Sequence, residues 1–249
     1  MDSINEKFER ALLLSSQRKL SVTEEKDIGR LRERTLHSVL KYFYEEDERY
    51  HEINVGRFVA DIFKDGEIIE IQTRNFSSCK DKLELFLKSF KVTMVFPVDK
   101  LKWVSWINPE DGSVSKKHRS PKIGGIFDAF DELIYIMKYL SHPNFHLRIV
   151  LMEIEEYRYL NGWSRNKKRG SVRANRVPVR IFEEIGFDCT EDYAEFVPLA
   201  LDGRFTVKNY AEAAGVSEKH AQRALKVLLV LGVVERTEKR GNAYLYNLV

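Results

Sequence analysis

The chain is poor in cysteine: Cys79 and Cys189 stand far apart in 249 residues, and neither belongs to a CxxC pair. That argues against a disulfide-stapled scaffold or a thiolate zinc site, and predicts free thiols in a reducing compartment. No apolar run approaches the roughly 20 residues needed to span a bilayer. Met1-Asp2-Ser3-Ile4-Asn5-Glu6-Lys7 has neither the basic start nor the apolar stretch of a signal peptide. The expectation is a cytoplasmic protein with no membrane partner. The glycine-rich motifs of P-loop, dinucleotide and serine-hydrolase sites are missing, which leaves those readings unsupported. The histidines do not converge either: His142 and His146 are four apart, but Pro143 disfavours a helical pair.

Acidic residues are absent between Asn161 and Phe182, where Arg165, Lys167, Lys168, Arg169, Arg173, Arg176 and Arg180 place seven positive charges. The net charge is +3, so the rest of the chain, with those seven removed, carries −4. A concentrated positive segment on a mildly acidic body suits a polyanion, although a solvated loop is the plain alternative. If about five of these charges reach phosphates, log affinity should fall with log salt at a slope of about −4 to −5. Lys116-Lys117-His118-Arg119 with Lys122 is a smaller cluster. At 32% charged and 43% hydrophobic, 249 residues suffice for one sizeable core plus a small accessory domain.

The most informative segment runs from Gly56 to Thr73. Asp65-Gly66 between two runs of β-branched and aromatic residues predicts a two-residue hairpin turn. Phe63 then pairs with Ile68, Ile62 with Ile69, and Asp61 with Glu70. Gln72, Arg57, Val59 and Arg74 share the Glu70 face by alternation. Two carboxylates about 5 Å apart repel by roughly 3 kcal/mol at an effective dielectric near 20, and apolar Val59, Phe63 and Ile68 add a desolvation cost. A shared proton, a nearby arginine or a divalent cation must offset this. Oxygen-only ligands suit a hard ion, Mg²⁺ or Mn²⁺; the bland alternative is an edge hairpin neutralised by Arg57 and Arg74.

Around that hairpin, periodicity predicts a short helix over 4–14 and a longer one from the Ser21-Val22-Thr23-Glu24 capping box to about Tyr44. Strands follow near 52–55, 58–63 and 67–73, then a helix over 80–90 and a buried strand over 92–96 ended by Pro97. A hairpin turning at Asn108–Gly112, a helix near 126–140 and a strand near 147–154 complete the body. In the last 45 or so residues, a helix from Thr206 to Ala214, Ser217 as N-cap, a second helix to Leu231 and a ribbon turning at Gly241-Asn242 read as a winged helix-turn-helix. Residues 203–249 carry eight Lys or Arg against four Glu. Lys219, Gln222, Arg223 and Lys226 on the second helix, with Lys239 and Arg240 in the wing, suit groove docking and phosphate contact.

The helix–three strands–helix–strand order, with Asp61 and Glu70-Ile71-Gln72 on its hairpin, resembles the PD-(D/E)XK nuclease superfamily in its Glu-x-Gln, CoiA-like or resolvase-like form. The resemblance covers roughly residues 25–97. It implies an α/β (α+β), restriction-endonuclease-like mixed sheet flanked by helices in residues 1–200, followed by the small winged-helix domain in 201–249. It implies a DNA hydrolase in which Asp61 and Glu70 hold Mg²⁺ or Mn²⁺, with the Ile71 carbonyl as a further ligand. Ala60 stands where the name has Pro, and Gln72 replaces the usual Lys. Gln72 is then the positioning group, and Lys82 or Arg74 is a candidate for the missing charge. Glu52 and Glu33 are candidate third acids, while Arg57, Arg74 and the Arg165–Arg176 cluster are candidate DNA contacts. For Lys82, Arg74, Glu52 and Glu33 a solvated or structural charge is an equal alternative. The expectation is a metal-dependent DNA endonuclease targeted by the winged helix, with DNA as partner and a homodimer admitted. Its alternatives are a nuclease-fold DNA-binding regulator without turnover, and an assembly protein whose winged helix binds protein.

Overall fold

A computed structural model describes residues 3–21, 35–161, 172–201 and 203–249. Seven strands form one mixed sheet: β1 (His51–Val55), β2 (Phe58–Lys64), β3 (Glu67–Ile71), β4 (Lys91–Ile107), β5 (His118–Arg119), β6 (Phe145–Tyr159) and β7 (Val172–Phe187). The spatial order is β1-β2-β3-β4-β6-β7, with β5 added to β4. β1, β2 and β3 are antiparallel neighbours, β3-β4 and β4-β6 run parallel, and β6-β7 is antiparallel. The fold is α/β in the α+β sense expected, a mixed sheet flanked by helices.

Helices α1 (Ile4–Ser21) and α2 (Thr35–Tyr44) cover one face, packing Phe8, Leu36, Val39 and Leu40 against Ile71, Val95, Val150 and Ile154. On the other face lie α3 (Lys80–Phe86), α4 (Phe130–Leu133) and the C-terminal segment, over Ile68, Met94, Phe96, Leu147 and Ile149. Apolar residues alternate along β3, with Ile68 in one core and Ile71 in the other, because the sheet is buried on both sides. The stretch 22–34, where the longer helix was expected to begin, and Glu33 with it, lie outside the described residues.

The hairpin turn is as the sequence predicts. Asp65 and Gly66 both take positive φ, 50° and 80°, the handedness that matches strand twist across a two-residue loop. Pro97 does not end its strand, contrary to expectation. β4 continues through it to Ile107, and Pro97 pairs with Val150 of β6. The Val95 carbonyl accepts from Gln72 N–H at 2.9 Å, so by alternation the ring nitrogen of Pro97 faces the β3 side. β3 has already ended at Ile71, so no ladder bond is lost. The helix expected near 126–140 is broken into the 3₁₀ turns Ile126–Ala129 and Met137–Tyr139 around the one-turn α4.

The basic segment also needs correction. Arg165, Lys167, Lys168 and Arg169 lie outside the described residues, but Arg173, Arg176 and Arg180 sit in β7, a strand rather than a loop. Arg173 Nε lies 3.4 Å from Glu156, Arg176 binds Asp99, and Arg180 Nε lies 2.9 Å from Glu153. The strand is held to β4 and β6 by these pairs as well as by its ladder.

Helix α5 (Val207–Ala214) opens on a capping box between Thr206 and Asn209 and closes on left-handed Gly215. Ser217 caps α6 (Glu218–Val230), and β8 (Val234–Arg240) and β9 (Ala243–Leu248) form the ribbon. Phe205 adds a third short edge, exchanging backbone bonds with Tyr246. This unit is not free-standing. Ala221, Ala224, Leu225 and Leu228 of α6 share one apolar core with Phe130, Leu133 and Ile136 of the body.

Candidate active site at the split hairpin

The regular ladder between β2 and β3 stops at Ile62–Ile69. One step further, side chains replace it: Asp61 N–H donates to Glu70 Oε1 at 3.2 Å, and Ile71 N–H donates to Asp61 Oδ2 at 2.8 Å. Each carboxylate is therefore anchored to the other strand's backbone, and the pair sits in the gap. Glu70 is 4% exposed, among the most buried polar residues described. Two helices reach the gap from opposite layers. His37 Nε2 of α2 lies 3.1 Å from Asp61 Oδ2, and Lys82 Nζ of α3 donates to Glu70 Oε2 at 2.5 Å.

The acids are unequal. Burial and the Asp61 charge push the Glu70 carboxyl up to about 8, outweighing the Lys82 ammonium. Burial also opposes Asp61 ionisation, but the hydrogen bonds from His37 and the Ile71 N–H hold its carboxyl below the usual range. The two carboxylates therefore resist being ionised together.

The candidates divide by position. Asp61, Glu70 and Lys82 come together. Gln72, although adjacent in sequence, turns away: its side-chain amide donates to the Arg74 carbonyl at 2.6 Å and fastens the turn leaving β3. Glu52, on β1, has left-handed backbone (φ 54°) and accepts from the buried Lys41 at 2.7 Å. It thus serves α2 instead of joining the pair. Arg57 lies over the Phe58 ring at 5.0 Å from its centroid, and Arg74 is exposed beyond the turn. Val59 is 46% exposed and does not bury the pair as expected; Phe63 and Ile68 do lie in or against the core. His37 was not anticipated. Its signal is the spacing of His37 and Lys41, one helical turn apart on an apolar helix, the first meeting Asp61 of the hairpin and the second Glu52 of β1.

The donor set can be tested against a hard divalent ion. Asp61, Glu70 and the Ile71 carbonyl are oxygen donors at the end of one stiff hairpin, and Mg²⁺ keeps several waters when few protein ligands are offered. A buried pair of carboxylates that oppose each other's ionisation fits such an ion. No group of three His, Cys, Asp or Glu among the described residues could hold a metal, so water would complete any coordination.

In the C-terminal unit, Lys219, Gln222 and Lys226 are exposed along α6, and Lys239 and Arg240 at the ribbon tip. Arg223 is not displayed with them. It binds Asp131 of α4, which His220 Nε2 also approaches at 3.1 Å.

A family described as Domain of unknown function (DUF8091) matches residues 34–188. The chain belongs to this family. The matched stretch takes in the whole seven-stranded sheet, the acid pair and Lys82, and stops before α5. A relative described as an uncharacterized protein, from Treponema pallidum (strain Nichols), is 29% identical over 223 residues, 88% of this chain and 86% of that protein. No solved structure matches. No helix among the described residues is long and apolar enough to cross a membrane.

Proposed function

We propose that this chain is a metal-dependent DNA endonuclease with a restriction-endonuclease-like body, hydrolysing phosphodiester bonds at the split hairpin. The observation that carries this reading is the buried Asp61–Glu70 pair with one lysine set against it. Asp61, Glu70 and the Ile71 carbonyl would hold Mg²⁺ or Mn²⁺. The ion would supply a water of lowered pKa and charge for the phosphate. Lys82, which holds Glu70, would take the part that a strand lysine plays in the resembled superfamily. Its ammonium orients the nucleophile and meets charge developing on the phosphate. His37 holds Asp61 in place. The exposed cations of α6 and the ribbon tip supply sequence-tolerant contact with the DNA backbone.

Cleavage of linear, single-stranded and branched DNA with Mg²⁺ or Mn²⁺ tests the proposal. Activity that survives both Asp61→Ala and Glu70→Ala rejects it. A second reading, a DNA-binding protein of this fold without turnover in a cytoplasmic setting, is favoured by one observation: Gln72 is spent on the Arg74 carbonyl. Salt-sensitive DNA binding, with no cleavage in either metal and no response to Glu70→Gln, would select it.

A further inference from the structure

Just past the end of β3, where Thr73 and Arg74 follow the acid pair in sequence, an open cleft of about 260 Å³ lies between the chain leaving β3, the middle of β4 and the start of β7. Arg74, Lys102, Lys122, Arg173 and Arg176 line it. Its acids are already taken. Asp99 binds Arg176 and, at 3.3 Å, Lys102; Asp128 binds Lys122 at 2.9 Å. Asp131 binds Arg223 and His220, and Glu132 accepts from Phe76 N–H at 2.9 Å.

The wall is built rather than incidental. The β4–β6 register slips between Asp99 and Leu101, a bulge that re-aims the strand at this point. Gly124 packs so closely on it that a Cβ would lie 2.5 Å from the Asp99 carbonyl oxygen, so only glycine fits. Arg176 is the decisive member: its side chain is 10% exposed, yet its buried Nε–H meets no acceptor. Arg176 thus carries a buried donor without an acceptor at the wall of an open cleft. Burial, with Arg176 and Arg74 close by, also pushes the Arg173 pKa down despite the opposing charge of Glu156. The cations crowd one another here.

We propose that this cleft is a phosphate subsite, in which Arg173 and Arg176 bind a phosphate group of the strand presented to the Asp61–Glu70 pair. Guanidinium forks match phosphate oxygens in pairs, which lysines do not. The identity of the strand rests on the nuclease reading, whereas phosphate binding needs neither metal nor turnover.

The test uses the full chain without metal, heated in inorganic phosphate against chloride of equal ionic strength. Phosphate at tenfold its Kd should raise Tm by about 3 to 6 °C. Arg173→Gln and Arg176→Gln should each abolish most of this shift. Arg180→Gln, on the same strand but outside the cleft, should keep it. Arg176→Gln leaves Asp99 with only Lys102 and risks unfolding, so the more exposed Arg173→Gln decides if it does. No shift beyond chloride, or a full shift in Arg173→Gln, overturns the proposal.

Competition then identifies the source. Displacement of phosphate only by a 5′-phosphorylated oligonucleotide marks a terminal phosphate. Equal displacement by its 5′-hydroxyl counterpart marks an internal phosphodiester. Displacement by neither overturns the link to a nucleic-acid strand. A phosphate shift that Arg173→Gln abolishes, in an unaltered protein that cleaves no DNA with Mg²⁺ or Mn²⁺, defeats the nuclease reading alone.

Discussion

The split hairpin and the arginine cleft are neighbours along β3 and bury charge in different ways. At the hairpin two buried acids face one lysine and one histidine, and burial with the Asp61 charge pushes the Glu70 pKa up. The cleft is lined by five cations and four acids; Asp131 is also claimed by Arg223, and Glu156 behind the wall meets Arg173. Burial makes an unmatched charge costly in either place. The acid site relieves it by protonation, because carboxylates titrate within reach of neutral pH. Arginine has no such escape, and an idle Nε–H remains. The same cost thus leaves a titrating acid pair in one region and an arginine donor without an acceptor in the other.

Removing a member of the acid pair is the severest challenge to this contrast. Asp61→Ala and Glu70→Ala should each lower kcat for DNA cleavage by about a thousandfold or more. Lys82→Ala should cost about a hundredfold, with partial recovery in Lys82→Arg, whereas Gln72→Ala should cost less than about tenfold. The reverse order for Lys82 and Gln72 would return the lysine's role to the strand.

Acidity separates the regions further. An ordinary glutamate titrates near 4.3, whereas folded Glu70 titrates at about 8. Between these values the unfolded chain ionises this residue and the folded one does not. Metal-free protein should therefore lose stability as pH rises from about 4 to about 8, then level off. Glu70→Gln should flatten that slope in Tm measured from pH 5 to 9 in a chelator, while Arg173→Gln should leave it intact.

The smallest effect concerns the clamp beside the cleft. Asp131→Asn removes the acid shared by His220 and Arg223. Because Asp131 is 40% exposed, solvent screening limits the expected loss to about 1 kcal/mol. That is a fall in Tm of about 2 to 4 °C. A much larger fall would mean that these ion pairs, and not the apolar core beneath them, hold α6 to the body.

Much of the site was legible because hairpins are local. Asp65-Gly66 set the turn, the turn set the register, and the register set Asp61 against Glu70. Lys82 was legible only as one of two candidates, since a helix after a strand can place its cations in several directions. Gln72 misled for a similar reason: sequence adjacency gave its face, while a carbonyl two residues away took its side chain. Pro97 read as a terminator because its neighbours were unknown; β3 ends first, so the missing N–H has no partner to lose. β7 was hidden by its charge. Seven cations without an acid resemble a loop until Asp99, Glu153 and Glu156, distant in sequence, are brought alongside three of them.

Short-range stereochemistry, then, was written in the chain: the alternation of apolar residues, the glycine-bearing turns, the caps of α5 and α6, and the paired acids. Tertiary structure decided which charges meet. It put His37 and Lys82, from opposite layers, on the two carboxylates. It set Arg223 on Asp131 instead of in solvent, and it buried Arg176 with one donor unused. The reason is physical: turn and strand preferences act over a few residues, whereas Coulomb and desolvation energies depend on which side chains the packed layers bring within a few ångströms.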